Sequence, residues 1–119
     1  MSPDISITYV PCGDLEEARR IARQLLEERL IACANVLSPM QSLYVWNSQI
    51  EEAQEVVLIL KTLHDKRKAM LERLRRLHSY KVPCFVELAA VGVNDDYRRW
   101  MQDVLHPAPA TVDDPPPWD

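Results

Sequence analysis

The stretch SLYVWNSQIEEAQEVVLILK, residues 42–61, decides the fold, because it has the pattern of two β-strands joined by a tight turn. Residues 47–49 provide the turn, although they lack the strong Asn-Gly signal of a two-residue hairpin. The run VVLIL, residues 56–60, is apolar at every position. Such a run is typical of a strand in the middle of a sheet that is covered on both faces, or covered by a second chain.

The sequence on either side of this hairpin predicts alternating strands and helices. Asp14 and Glu17 have the D-x-x-E spacing of a capping box, so a helix begins there. Asp65 is predicted to cap the second helix, and the dipeptide Val82-Pro83 requires extended backbone before the last strand. The predicted elements are a strand at 5–10, a helix from 14 to about 29, a strand at 32–37 that Pro39 interrupts before it resumes at 42–46, a strand at 50–61, a helix from 65 to 77, a strand at 85–91 and a helix at 95–105.

This order predicts an α+β fold of the ferredoxin-like βαββαβ type, with an extra C-terminal helix and a long hairpin between the second and third strands. With 119 residues, the chain is expected to form one domain over residues 1–105. Residues 106–119 contain five of the nine prolines and are predicted to be an extended or disordered tail.

Composition excludes several classes of protein. The net charge of −4 argues against nucleic-acid binding, which rewards a basic surface. The N-terminal residues lack the pattern of a signal peptide, and no apolar run approaches the ~20 residues that a membrane-spanning helix needs. The three cysteines form no C-x-x-C pair. We therefore expect reduced thiols, a cytoplasmic location and no membrane insertion.

The hairpin is longer than a domain of this size can cover. A domain this large has a radius of gyration of about 13 Å and hence a diameter of roughly 35 Å. A strand from Ala32 to Trp46 would reach about 50 Å at ~3.3 Å per residue. Its far end, residues 43–46, is apolar on both faces. We expect a homo-oligomer whose sheets continue between subunits; the alternative is a bend at Pro39 that folds the hairpin back on its own core.

Four segments in order, ARQLLEERLIACANV, SLYVWNSQIEEAQEVVLILKT, LHSYKVP and DYRRWM, resemble the CutA family of divalent-cation tolerance proteins. The match is collinear from about residue 14 to residue 101. The resemblance implies a ferredoxin-like domain, a homotrimer assembled through the long hairpins, and an architecture related to the PII signalling proteins. It also implies a role in tolerance of divalent metals and binding of Cu2+ or another divalent ion, without an organic cofactor.

The chain departs from the family pattern at the metal-binding positions. Some members carry a cysteine at the end of the first strand and two consecutive histidines before the turn. Val10 and Leu77 stand at two of these places, and His78 alone matches. The resemblance therefore leaves open whether the metal site is kept, lost or rearranged, with Cys12 two residues beyond the first-strand position.

The predicted metal ligands are His78, Cys12 and Cys84. Imidazole and thiolate together favour copper or zinc. Each residue also has a structural alternative: His78 suits a helix C-terminus, Cys12 suits an ordinary loop before a helix, and Cys84 begins a strand. Cys33, within an apolar strand, is expected to be a small buried hydrophobe.

A second predicted site is a ligand cleft at a subunit boundary. Tyr44 and Trp46 lie two residues apart, so they point to the same face of the strand, for ligand stacking or for interface packing. Its predicted residues are Tyr44, Trp46, Glu55, Lys61 and Tyr80.

These features favour a binding or regulatory protein over an enzyme. The sequence has neither a nucleophile elbow nor a phosphate-binding loop, and Gly13 and Gly92 are its two glycines. The alternatives are a PII-like trimer that binds a small ligand in inter-subunit clefts, and a non-catalytic scaffold for a protein partner.

Overall fold

The structure is a computed structural model that describes residues 5–107. It confirms the predicted order of elements. These elements are β1 (Ile5–Cys12), α1 (Leu15–Glu27), β2 (Cys33–Trp46), β3 (Gln49–Leu63), a 3₁₀ turn (His64–Lys66), α2 (Arg67–Leu77), β4 (Val86–Ala89) and α3 (Asp95–Leu105).

The four strands form one antiparallel sheet in the order β2-β3-β1-β4. The predicted α+β fold is therefore confirmed. β3 lies between β2 and β1, so its apolar centre is central to the sheet, as the sequence predicts. Because side chains alternate along a strand, Val56, Leu58 and Leu60 share one face of β3.

Two apolar clusters hold the layers together. The larger one packs Val10 and Leu58 of the sheet against Ile21 and Leu25 of α1 and Leu74 of α2, all of them fully buried. The smaller one packs α3 against one end of the sheet, through Met101 and Leu105 on Ile5 and Leu63. Ile5 and Val10 point to opposite faces of β1, so α3 lies on the face away from α1 and α2.

Several boundaries differ from the sequence prediction; β1 and β3 are each longer than predicted, at Ile5–Cys12 and Gln49–Leu63. α1 ends at Glu27 rather than near Arg29, because Arg29 takes a left-handed backbone conformation with φ 57°. β2 continues through Pro39, since a bulge between Leu37 and Met40 takes up the residue that cannot donate to the ladder. β4 is shorter than predicted, at Val86–Ala89.

The predicted capping role of Asp65 is wrong. Asp65 lies inside the 3₁₀ turn that precedes α2, and α2 begins after Lys66 without a side-chain cap. The Arg67 backbone N–H bonds instead to the carbonyl of His64. The Asp65 carboxylate lies 2.7 Å from Nε2 of His106, so it pairs with the end of α3.

The hairpin of β2 and β3 projects from the rest of the molecule. We call its outer part, residues 40–55, the arm. Asn47 and Ser48 have φ 51° and 65° and form a two-residue turn between the paired Trp46 and Gln49. The principal extents are 55 × 33 × 26 Å and the radius of gyration is 15.8 Å, against about 13 Å for a compact domain of this size. The arm therefore extends beyond the core, as its length predicts.

The prediction that the C-terminal tail is extended or disordered remains a prediction. Residues 108–119 of the predicted tail lie outside the described residues, as do residues 1–4. Within residues 5–107, none of the helices is long and apolar enough to cross a membrane.

Candidate functional site

Three elements bring a thiol, a carboxylate and an imidazole together. Cys12 is the last residue of β1, Glu17 lies in the first turn of α1, and His78 directly follows α2. Their potential ligand atoms all lie within 4.8 Å of one another, and all three residues are buried. We call this group the Cys12–Glu17–His78 cluster.

His78 is held by hydrogen bonds at both ring nitrogens. Its Nε2 lies 2.8 Å from the carbonyl oxygen of Pro11, and its Nδ1 accepts a hydrogen bond of 3.1 Å from the backbone N–H of Tyr80. A ring that accepts at Nδ1 and faces a carbonyl at Nε2 is the neutral tautomer with its proton on Nε2. His78 also ends α2 through its own backbone N–H, which bonds to the carbonyl of Leu74.

Glu17 joins the start of α1 to the loop after α2. One half of the predicted capping box is present, since the Glu17 backbone N–H donates to Oδ1 of Asp14 at 2.7 Å, whereas the Glu17 carboxylate reaches Gly13, one residue before the cap. The two carboxylate oxygens of Glu17 accept from the backbone N–H groups of Gly13 and Ser79 at 3.1 and 2.9 Å. Burial raises the pKa of Glu17, but these hydrogen bonds outweigh burial and leave the pKa below its ordinary value, so the carboxylate is ionised at neutral pH.

Cys12 is a protonated thiol in this environment. It is fully buried, and its Sγ lies 3.8 Å from the carbonyl oxygen of Val10. Burial, and after it the negative charges of Glu17 and Glu55, raise the pKa of Cys12 to about 12. A thiol in such an environment is a poor nucleophile, which argues against Cys12 as a catalytic residue.

The cluster fits a copper or zinc ion by donor type, since it combines sulfur, nitrogen and oxygen ligands. Its hydrogen bonds are nevertheless complete in the form described here. To bind an ion, Cys12 must lose its proton and His78 must release the Tyr80 N–H, since a ligating Nδ1 needs its lone pair and a ligating Nε2 needs its proton moved to Nδ1. An ion therefore competes with protons and with the loop after α2 for the same atoms.

A cleft of about 600 Å³ lies between the arm and the loop of residues 80–84. Its floor is closed by a hydrogen bond of 2.8 Å from the Tyr80 hydroxyl to Oε2 of Glu55. Burial, and then the Glu55 carboxylate, raise the pKa of Tyr80, so this hydroxyl stays a donor. The described lining consists of Pro11, Tyr44, Trp46, Glu51, Ala53, Glu55, Tyr80, Lys81, Val82 and Cys84.

The structure brings together some of the predicted site residues and separates others. Cys12 and His78 lie in one cluster, whereas Cys84 is exposed and lines the cleft. Tyr44, Trp46, Glu55 and Tyr80 all line the cleft.

Lys61 lies elsewhere. Its Nζ is 5.3 Å from the ring centroid of Tyr97 in α3, and its strand partner in β2 is Cys33. Hydrogen bonds and charge interactions with Tyr97 and Cys33 outweigh burial and raise the pKa of Lys61. The cleft lies beyond the end of β1, which is marked by the pair of Cys12 with Val56 in β3. Lys61 lies on the other side of that pair, in the part of β3 that pairs with β1, and is therefore separated from the cleft.

Sequence reasoning missed Glu17 as a member of the cluster. The signal was present, because the third residue of a capping box turns its carboxylate back toward the residue before the helix. Cys12 lies two residues before the cap Asp14, so the same carboxylate had to approach the end of β1. Val10 and Leu77, which stand where the resemblance implies a cysteine and a histidine, pack in or against the larger apolar cluster.

The antiparallel sheet, the projecting arm and the buried cluster define a ferredoxin-like α+β protein with a group of potential metal ligands at one end of the sheet. Comparison with known proteins gives the family. The chain belongs to the CutA1 divalent ion tolerance protein family, which matches residues 6–104.

Relatives in sequence and in structure agree with this assignment. The divalent-cation tolerance protein CutA of Pyrococcus horikoshii is 42% identical over 95 residues, which cover 80% of this chain and 92% of the relative. The CutA1 structure from Ehrlichia chaffeensis has a TM-score of 0.83 at 33% identity and covers 88% of this chain and 98% of its own. The CutA structure from Archaeoglobus fulgidus, described as periplasmic, has a TM-score of 0.82 at 31% identity over 86% of this chain and 99% of its own.

Proposed function

We propose that this chain is a homotrimeric divalent-cation tolerance protein that binds copper or a related divalent ion through Cys12, Glu17 and His78. The observation that carries the proposal is that these three residues place sulfur, oxygen and nitrogen atoms within 4.8 Å of one another. This set replaces the ligands predicted from the sequence, because Cys84 lies in the cleft and Glu17 takes its place.

Binding is coupled to proton release in this proposal. The Cys12 thiol, whose pKa is raised to about 12, gives up its proton to become a ligand. His78 becomes a ligand through Nδ1 when it gives up the hydrogen bond from the Tyr80 N–H, or through Nε2 after its proton moves to Nδ1, which breaks the contacts with both Pro11 and Tyr80. Apparent affinity for the ion therefore rises with pH across the neutral range.

The trimer is supported by the arm. Leu43, Val45 and Ile50 are each more than half exposed in the single chain, on a projection with little core of its own. Burial of these side chains against other copies removes an aggregation hazard. The number three follows from the family resemblance.

The test is a calorimetric titration of the fully reduced protein with Zn2+, which, unlike Cu2+, does not oxidise thiols. We expect one ion per chain for the wild type, and a loss of affinity of about tenfold or more in Cys12→Ser and in His78→Gln. Cys84→Ser is the matched control and should bind as the wild type does.

Two results would contradict the ion site. One is equal binding by Cys12→Ser and wild type. The other is a loss of affinity in Cys84→Ser, which would move the ion to the cleft. Circular dichroism of each variant, taken before titration, separates loss of ligands from loss of fold.

A second candidate function is a PII-like one, in which the cleft binds a small ligand at a subunit boundary. It is supported by the convergence of Tyr44, Trp46, Glu55 and Tyr80 on one cleft of about 600 Å³. Both roles are non-catalytic. A cytoplasmic location and a scaffold role for the tail stay predictions.

A further inference from the structure

The charges of the cleft differ between its two walls. The arm supplies the carboxylates of Glu51 and Glu55, and the loop of residues 80–84 supplies the ammonium of Lys81. Among the described lining residues, negative charge thus exceeds positive charge by one. A phosphate-rich ligand is disfavoured by this balance, whereas a cation is favoured.

Aromatic side chains stand beside the carboxylate that faces the open cleft. Tyr44 and Trp46 lie on the same face of β2 and are 43% and 54% exposed. Glu51 lies directly opposite Tyr44 in the strand register, and both line the cleft. Two exposed aromatic rings beside a carboxylate are the arrangement that recognises organic ammonium groups.

Glu51 and Glu55 have different surroundings in this cleft. Glu55 accepts the hydrogen bond of the Tyr80 hydroxyl at 2.8 Å, so it belongs to the floor. Glu51 lies nearer the turn of the arm and is exposed. A ligand that enters between the walls therefore meets Glu51, Tyr44 and Trp46 first.

We propose that this cleft binds a small organic cation, an alkylammonium group, held by the Glu51 carboxylate between the rings of Tyr44 and Trp46. The inference rests on the second candidate function, a small-ligand cleft, and gives its ligand class. Lys81 opposes the cation from the other wall and sets an upper limit on affinity.

The test is a ligand-observed NMR titration of the assembled protein with tetramethylammonium at constant ionic strength, with tert-butanol as the neutral probe of equal shape. We expect saturable binding of tetramethylammonium alone. Glu51→Gln should weaken it roughly tenfold. Glu52→Gln is the matched control, since Glu52 is the next residue of the same strand and points to the other face.

The Lys81→Met variant tests whether the charge of Lys81 repels the bound cation. Removal of a repelling ammonium should tighten tetramethylammonium binding about twofold or more. Weaker binding in Lys81→Met would overturn the proposal in favour of a zwitterionic ligand. No saturable binding to the wild-type oligomer would overturn it in favour of a cleft filled by another copy of the chain, and equal binding by the two glutamine variants would remove Glu51 from the site.

Zn2+ titration of the same samples separates this inference from the ion site. Glu51→Gln should keep the ion stoichiometry of the wild type. In the wild type, absence of tetramethylammonium binding with intact Zn2+ binding contradicts the cleft proposal alone, and absence of Zn2+ binding with intact tetramethylammonium binding contradicts the ion site alone.

Discussion

Glu17 is the residue on which the candidate ion site depends most. Its backbone N–H is capped by Asp14, and its two carboxylate oxygens accept from Gly13 and Ser79, on opposite sides of the cluster. Burial, and after it the same carboxylate, raise the pKa of the Cys12 thiol. One side chain therefore starts a helix, holds the loop after α2 and favours the protonated form of Cys12.

Glu17→Gln tests this role through stability. Glutamine has a single acceptor oxygen for the two N–H groups, and its amide would point a donor at one of them. We expect a loss of about 1–3 kcal/mol in the free energy of unfolding at pH 7, measured by urea denaturation. A loss below about 0.5 kcal/mol would show that the two hydrogen bonds contribute little.

The pH dependence of that loss follows from the direction of the pKa shift. The pKa of Glu17 is lower in the folded chain than its ordinary value of 4.5. Its stabilising contribution is therefore complete above pH 4.5 and is lost as pH falls through the lower, folded value. The difference in unfolding free energy between wild type and Glu17→Gln should narrow below about pH 4.5, and a gap that widens there would contradict this assignment.

The three cysteines should differ in reactivity. Cys84 is exposed, Cys33 is half-buried, and Cys12 is buried with a pKa of about 12. Because thiolate and access both control alkylation, iodoacetamide should label Cys84 first and Cys12 last. Peptide mass spectrometry over a time course gives the order, and early labelling of Cys12 in the folded protein would contradict its described environment.

At the scale of single elements, the capping box of α1 is predictable and measurable. Asp14→Ala removes the acceptor of the Glu17 N–H and should cost about 1 kcal/mol of unfolding free energy. Asp14→Asn keeps an acceptor oxygen and is the matched control. If the Asp14→Ala and Asp14→Asn variants had equal free energies of unfolding in denaturant titration, the cap would make no measurable contribution to stability.

The sequence predicts elements where the signal is local and periodic. The start of α1 follows from its capping residue, and both bounds of α3, residues 95–105, follow from helical spacing. Errors fall where tertiary contacts compete with a local preference. Asp65 is drawn to His106 rather than to a helix N-terminus, and β3 holds β2 in the sheet on both sides of Pro39.

The candidate sites show the same difference between local signals, which the sequence predicts, and tertiary contacts, which it does not. His78 and Cys12 are predictable as residue types at element ends, and the aromatic residues of the cleft follow from alternation along β2. The sequence does not predict the separation of Cys84 from the cluster or of Lys61 from the cleft. That separation depends on where β1 ends relative to β3 and on the packing of α3.

At the scale of the whole molecule, the arm predicts assembly. Ile50 is 79% exposed near the arm's turn, paired with the exposed Val45. Ile50→Glu places a charge in the expected interface and should lower the mass found by light scattering from about three times the chain mass of 13.8 kDa toward one chain.

Leu15→Glu is the control for that measurement. Leu15 is also an exposed apolar residue, at 45%, but it lies on α1 and away from the arm. The Leu15 variant should keep the wild-type mass. A wild-type protein that scatters as a single chain, or equal dissociation of both variants, would contradict assembly through the arm.

The most direct test of the proposed function is the X-ray absorption spectrum of copper on the reduced protein loaded with one ion per chain. Binding by the Cys12–Glu17–His78 cluster predicts a sulfur ligand together with imidazole scattering, and loss of the sulfur shell in Cys12→Ser but not in Cys84→Ser. A spectrum with nitrogen and oxygen ligands alone, or a sulfur shell that disappears in Cys84→Ser, would contradict the cluster as the ion site.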